Sequence, residues 1–216
     1  MVSHSSFKAG ESMIRAVILV ESSFQDEEGI YAYHRMIEEG WHVDVATPSV
    51  RKWHGEVVKG LPNVVYGKFG VPLKVTTATE ALYVINYDMV VIPGGFVSPD
   101  MLRMRPEVLA FVKAMHDAGK LVAAICHGPW VLISAGIFGH TQGIHAGMDS
   151  GIRATCYQSL KDDLINAGAV YVDNIPVVTH MNLITSDHYK HNGPFMKAVV
   201  GYMHAHEQFE SLKRAP

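Results

Sequence analysis

From Met13 the chain alternates short runs of β-branched and apolar residues with longer amphipathic stretches, and no other feature constrains its fold as tightly. Strands joined through helical crossovers run parallel, and a parallel sheet must be covered by helices on both faces. Arg15 to Val20 reads as the first strand. Glu27 to Glu39 reads as a helix with Ile30, Tyr33 and Ile37 in its apolar stripe and Gly40 as its stop. His42 to Ala46 is the second strand. Asp88 to Ile92 is a buried strand ending in Pro93-Gly94-Gly95, a helix follows from Pro106 to Ala118, and Leu121 to Ile125 is the most apolar strand. Cys126-His127-Gly128-Pro129 ends that strand, and Trp130 to Ala135 resumes a helical pattern, so a sharp strand-to-helix turn is implied. Lys161 to Ala167 predicts a short helix. Val170 to Val172, Val177 to Thr179 and Leu183 to Thr185 predict closing strands, and a last helix spans Pro194 to Phe209. Segment 49–79 is broken by glycines and prolines and reads as a hairpin excursion or edge strands, while 139–151 reads as a loop.

Composition narrows the function. The chain has 216 residues, expected as a flexible segment over 1–12 and a single domain over 13–216. Hydrophobic residues are 48% and charged residues 18%, below the roughly 25% charged of an ordinary soluble domain, which argues against disorder. With 18 Lys and Arg against 21 Asp and Glu there is no cationic excess to hold a phosphate backbone, so nucleic acid is not an expected partner. The first residues lack the pattern of a secretory signal, and no window has the roughly 18 apolar residues of a membrane helix. A soluble, cytoplasmic protein is expected, and its two cysteines, Cys126 and Cys156, then need separate explanations rather than a disulfide.

Cys126 falls where open parallel sheets bind ligands, outside the carboxyl end of a strand and before a helix N-terminus. Partial positive charge and free N–H groups there favour a thiolate and can bind an oxyanion. A tight turn would also hold the thiol clear of the strand, as in the nucleophile elbow of α/β-hydrolases, although Ala-Ile-Cys-His-Gly lacks that motif's first glycine. His127, next in sequence, can act as base, acid or cationic neighbour. Cys156 has no such placement and reads as a small buried hydrophobe.

The stretch from Ala123 to Gly136 (AAICHGPWVLISAG) resembles the central motif of the ThiJ/PfpI family, within the class I glutamine amidotransferase-like superfamily. Phe24 to Arg35, Val91 to Gly95, Pro99 to Arg103 and Lys161 to Gly168 agree in the same order, so the resemblance spans residues 14 to 203. It implies a flavodoxin-like (Rossmann-like) three-layer α/β sandwich with a mostly parallel central sheet, and a homo-oligomer. It also implies Cys126 as nucleophile and Glu28 as the acid that approaches it. A carboxyl beside a thiolate is favoured protonated, because two anions in contact repel. Glu27 is the alternative, but one residue along a helix turns a side chain by about 100°. Asp100 matches an acidic residue that pairs with the histidine of a neighbouring subunit in peptidase-like members; its other reading is a solvated carboxylate capping the next helix. Gly94 and Gly95 match an oxyanion site, with Gly95 and His127 supplying N–H groups, and Tyr157 matches a tyrosine near the site. Where many relatives carry Ser-Arg, this chain has Thr185-Ser186-Asp187-His188.

Thirteen histidines raise the question of a metal. His140, His145 and Asp149 share one loop and Asp187, His188 and His191 another, but neither trio follows a zinc-binding spacing, and His204 and His206 face different ways on a helix. Surface histidines, no metal and no cofactor are expected. The sequence thus reads as a cofactor-independent cysteine enzyme of small reactive carbonyls, of the glyoxalase III or deglycase type, converting methylglyoxal to lactate. One alternative is an intracellular cysteine peptidase or amidase using Cys126, His127 and Asp100. Another, of a different class, is a redox-sensing or chaperone-like stress protein.

Overall fold

The computed structural model describes residues 13–53, 56–139 and 151–214. In chain order the first half holds β1 (Arg15–Leu19), α1 (Asp26–Glu38), β2 (His42–Thr47), β3 (Val50–Trp53), β4 (Glu56–Lys59), β5 (Val64–Tyr66), β6 (Pro72–Lys74) and β7 (Thr77–Ala78). Then come β8 (Met89–Ile92), α2 (Val97–Leu102), α3 (Pro106–Asp117), β9 (Leu121–Ile125) and α4 (Pro129–Ser134). The last part holds β10 (Arg153–Ala154), α5 (Lys161–Asn166), β11 (Val170–Tyr171), β12 (Val177–His180), β13 (Leu183–Ser186) and α6 (Asn192–Arg214).

Seven strands form the central sheet in the order β12-β13-β9-β8-β1-β2-β7. Every neighbouring pair is parallel except the β12–β13 hairpin at one edge. The period of two along a strand sends alternate side chains to opposite faces. Ala16, Ile18 and Val20 pack with Ala32 and Met36 of α1 and with Phe195, Met196 and Val199 of α6. Val17 and Leu19 pack with Leu102 of α2, Val108 and Val112 of α3, and Leu132 of α4. These two buried layers make a three-layer α/β sandwich, as the strand and helix rhythm predicts.

Segment 49–79 combines both expected forms: β3 and β4 pair as one antiparallel hairpin, β5 and β6 as another, and β7 is the parallel edge strand. Two elements depart from expectation. The stretch after Gly95 is the short helix α2 and not a loop, and β11 pairs with β10 in a separate parallel ribbon outside the central sheet. Val170 and Tyr171 are only half-buried, so that segment lies over the surface where no strand of the main sheet can reach it. Residues 1–12 and 140–150, which include the expected flexible N-terminal segment and most of the loop with His140, His145 and Asp149, lie outside the described residues.

The β5–β6 excursion is tied to the entry of α1. Asp26 accepts hydrogen bonds from the N–H groups of Phe69 (2.8 Å) and Val71 (3.0 Å), and Phe24 O accepts from Lys68 N–H at 2.7 Å. A Cβ at Gly67 would lie 2.1 Å from Asp26 Oδ1, so only glycine lets that loop close onto the carboxylate. Removing this carboxylate should cost about 2 to 4 kcal/mol, two charge-assisted bonds with partly buried donors. Asp26→Ala is therefore expected to lower the urea midpoint and to speed amide exchange at Phe69 and Val71; unchanged exchange at both amides would contradict the tie.

Candidate active site

Cys126 is the residue at which β9 turns into α4, and its φ of +61° puts a non-glycine side chain in the left-handed region. That conformation costs roughly 1 to 2 kcal/mol, so its surroundings must hold it. They do so from both sides: Cys126 N–H donates to Ser186 O at 2.8 Å, and Cys126 O accepts from Tyr157 N–H at 2.9 Å. Gly128 completes the turn, where an added Cβ would lie 2.3 Å from Ile92 O. The thiol thus stands off the strand end, 6% exposed.

Glu28, in the first turn of α1, comes to the thiol from the next element over and is 1% exposed. Its Oε2 accepts from Gly94 N–H at 2.5 Å, while Oε1 is buried with no nitrogen or oxygen donor against it among the described residues. Gly94 is required for this approach, because a Cβ there would lie 2.8 Å from Cys126 Cβ, from Glu28 Oε2 and from His127 N. Burial pushes the Glu28 carboxyl up to about 8; the Gly94 N–H and the Cys126 thiol oppose that shift and the charge of Glu27 adds to it. At neutral pH Glu28 therefore holds its proton. Glu27 itself is exposed and bonded to Gln25 Nε2.

The Cys126 thiol is also pushed up, first by burial and then by the Glu28 charge and hydrogen bond, with the N–H groups of His127 and Gly95 pulling it back. The lowering expected from a helix N-terminus is outweighed, since α4 is only six residues long and the sulfur is shut away from water. Two buried groups in contact cannot both ionise, so the pair carries at most one negative charge over the physiological range. The two N–H groups directed at the sulfur oppose the rise of the thiol without cancelling it, so Glu28 is the first of the pair to ionise, near 8, and below that the thiol holds its own proton.

His127 Nδ1 lies 3.3 Å from Cys126 Sγ. Its ring stacks on Tyr157 at 4.8 Å and 25°, with Trp130 edge-on at 5.2 Å and Phe96 at 6.5 Å. Burial, and then the charge of Lys68, hold its pKa below the ordinary histidine value, so the ring is a neutral base at pH 7. Tyr157 in turn faces His188 at 5.7 Å. The structure therefore brings together Cys126, Glu28, His127, Gly94, Gly95 and Tyr157. The Gly94 N–H is taken by Glu28, which leaves Gly95 and His127 as the N–H groups facing the sulfur. Asp100 is not brought in by this chain: it is exposed on α2, and among the described residues its carboxylate makes no hydrogen bond or ion pair. It does not cap α3 either, whose N-cap is Arg105.

Lys68, Phe96 and Trp130 were not legible as site residues, since each is an ordinary surface or helix residue until the fold sets it beside His127. Among the described residues no group of three or more His, Cys, Asp or Glu side chains is placed to share a metal ion. His191 Nδ1 instead pairs with Asp187 at 2.6 Å, His188 Nδ1 accepts from Lys190 N–H at 3.1 Å, and His204 contacts Glu39 at 3.1 Å. Cys156 is fully buried, and burial pushes its thiol up to about 12, so it is inert.

A thiol on a left-handed elbow at the carboxyl edge of a parallel sheet, against a buried carboxyl, defines a class of cysteine-centred α/β sandwiches. Residues 14–201 match the DJ-1/PfpI family, and the chain belongs to it. A deglycase of Pyrococcus abyssi (strain GE5 / Orsay) is 38% identical over 173 residues, covering 80% of this chain and 89% of that protein. YraA of Bacillus subtilis (strain 168), whose name places it provisionally among cysteine proteases, is 41% identical over 122 residues, 56% of this chain and 64% of its own. Among solved structures, a two-domain protein of Anabaena variabilis with a DJ-1/ThiJ/PfpI-like and a ferritin-like domain aligns with a TM-score of 0.74 at 30% identity, covering 88% of this chain and 48% of that one.

The raised Glu28 pKa is also a statement about stability. A carboxyl that ionises near 8 when folded and at 4.5 when free contributes fully below the lower value, and its contribution is lost as pH rises through the upper one. Between about pH 5 and pH 8 the protein is therefore expected to lose stability relative to Glu28→Gln, which cannot ionise. Denaturant midpoints of the two proteins across that range check this, and parallel pH curves would contradict it.

Proposed function

We propose that the chain is a cofactor-independent cysteine enzyme acting on small reactive carbonyls, in the manner of a glyoxalase III or deglycase. The observation that carries this reading is the protonated Glu28 carboxyl against the Cys126 sulfur, a nucleophile and a proton donor in one buried pair. Relatives named as deglycases support it.

With methylglyoxal, neutral His127 takes the thiol proton as the sulfur adds to the aldehyde carbon, and the Glu28 proton passes to the new alkoxide, giving a hemithioacetal beside a Glu28 carboxylate and a protonated His127. In this reading the N–H groups of Gly95 and His127, which act on the sulfur, also serve the charge that this oxygen gathers. The Glu28 carboxylate then takes the hydrogen of the first carbon as a proton and returns it to the neighbouring carbon, while the hydroxyl of the first carbon passes its proton through His127 to the ketone oxygen. The former aldehyde carbon becomes a thioester carbonyl and the ketone becomes a hydroxyl. Water attacks the thioester, the C–S bond breaks, and lactate leaves with the thiol regenerated. Tyr157, stacked on His127, keeps the ring in place through these transfers.

A second reading is favoured by the 3.3 Å approach of His127 Nδ1 to the sulfur, which suits a cysteine peptidase or amidase in which His127 protonates a leaving amine. That chemistry would draw on Asp100 of a neighbouring copy, because the carboxylate is exposed and unpartnered among the described residues.

Purified protein supplied with methylglyoxal is expected to form lactate. Cys126→Ser should abolish turnover and Glu28→Gln should lower kcat by at least about 10²-fold, the usual weight of a positioned acid or base. Asp100→Asn should leave it unchanged. Equal turnover by wild type and Cys126→Ser would dismiss the proposal; loss of turnover in Asp100→Asn would favour the peptidase-like constellation.

A further inference from the structure

Glu21 follows β1 by two residues and is 5% exposed, yet no step above uses it. By the alternation that sends Val17 and Leu19 toward α2 and α3, its side chain falls on that face of the sheet, opposite the face that packs α1. Glu21 N–H donates to Ser98 Oγ of α2 at 2.9 Å, and Ser98 is itself fully buried. Among the described residues Glu21 Oε2 accepts only from the adjacent Ser22 N–H at 3.2 Å, and Oε1 is buried with no partner.

Two guanidinium groups flank this carboxyl without closing on it. Arg51 of β3 and Arg105 at the start of α3 both act on the Glu21 charge, but among the described residues neither makes an ion pair or a hydrogen bond, and the Nε of each is buried and unpartnered. Three side chains from three parts of the chain, coupled through their charges, thus each carry a buried polar atom with no partner among the described residues, an arrangement that is costly unless something fills it.

The place is one where a ligand is expected. From β1 the chain steps outward to β2 and β7, then crosses back to β8 on the other side of β1, so strand order reverses between β1 and β8. Open parallel sheets bind ligands outside the carboxyl ends of the strands at such a reversal, and the Glu21–Ser98 hydrogen bond bridges that crevice.

We infer that Glu21, Arg51, Ser98 and Arg105 form a binding site for a phosphoryl group, either free phosphate or a phosphate monoester. Guanidinium forks match the acceptor oxygens of phosphate. A singly protonated phosphoryl group also carries a P–OH that can donate to Glu21 Oε1. A carboxylate has no such hydrogen and would leave Glu21 without a partner, and water would leave the net positive charge of two guanidiniums and one carboxylate unbalanced. The site is independent of the Cys126 chemistry and stands or falls without it.

Titration of the full-length protein with inorganic phosphate, at constant ionic strength, tests this through the shift in melting temperature and by calorimetry. Saturable binding is expected, with sulfate and acetate weaker because neither brings a proton for Glu21 at neutral pH. Arg105→Gln should weaken binding by about tenfold or more, as expected for a lost charge-assisted pair. Arg51→Gln should do the same, and since β3 lies outside the central sheet that variant can be read even if Arg105→Gln does not fold. Glu21→Gln should keep phosphate binding but erase the preference over sulfate, while Cys126→Ser should change nothing. Tighter binding of glycerol phosphate than of phosphate would assign a monoester, and the reverse would assign the free ion. No saturable shift in the wild type, equal response to acetate, or unchanged affinity in Arg51→Gln would overturn the site.

Discussion

The proton held between Glu28 and Cys126 is the interaction on which the rest of the structure depends. A carboxyl that is 1% exposed cannot easily carry charge, because desolvating an isolated carboxylate costs several kcal/mol even after relaxation. One N–H, from Gly94, does not offset that cost, so the carboxyl stays protonated until about pH 8. The same burial acts on the thiol. A pair that resists a second negative charge is a pair in which one proton is always available to a substrate oxygen, and that availability is what an addition to a carbonyl requires.

Three adjacent strand ends hold the pair in register. β9 delivers Cys126, β8 delivers Gly94 and Gly95, and the turn after β1 delivers α1 with Glu28. The turn is locked to β8 by Gln25 N–H donating to Gly94 O at 3.0 Å, and a Cβ at Gly95 would lie 2.6 Å from Gln25 N. Bare backbone at Gly94 and Gly95 is therefore what allows the acid to reach the sulfur. Asp26 adds the β5–β6 loop to the same junction, which sets Lys68 where its charge adds to the burial that keeps the His127 ring neutral.

Much of this was legible in the chain. The β-branched runs named the strands of the sheet core, because a doubly covered parallel sheet needs apolar strands, although Val170 to Val172 reads the same way and pairs outside that sheet. The Cys-His-Gly-Pro turn was legible for a local reason: its small residue and proline can only follow a strand end that breaks sharply. The short α2 was not, since six residues carry little periodicity, nor was the β10–β11 ribbon, whose strands are two residues each and too short to show where they pair. The direction of the Cys126 shift was misjudged because a helix dipole can be read locally, whereas burial and a carboxyl from α1 are products of the whole fold. Lys68, Phe96 and the Glu21 cluster were invisible for that same reason.

The chemistry at Cys126 turns on whether the Glu28 carboxyl is protonated at neutral pH. Isotope-edited difference infrared spectroscopy of the Glu28 carboxyl, assigned by subtraction of Glu28→Gln, reads it directly. A protonated C=O band at neutral pH that gives way to the carboxylate bands near pH 8 is the expected result. A Glu28 that is already a carboxylate at neutral pH, and that takes up its proton only near 4.5, would contradict it.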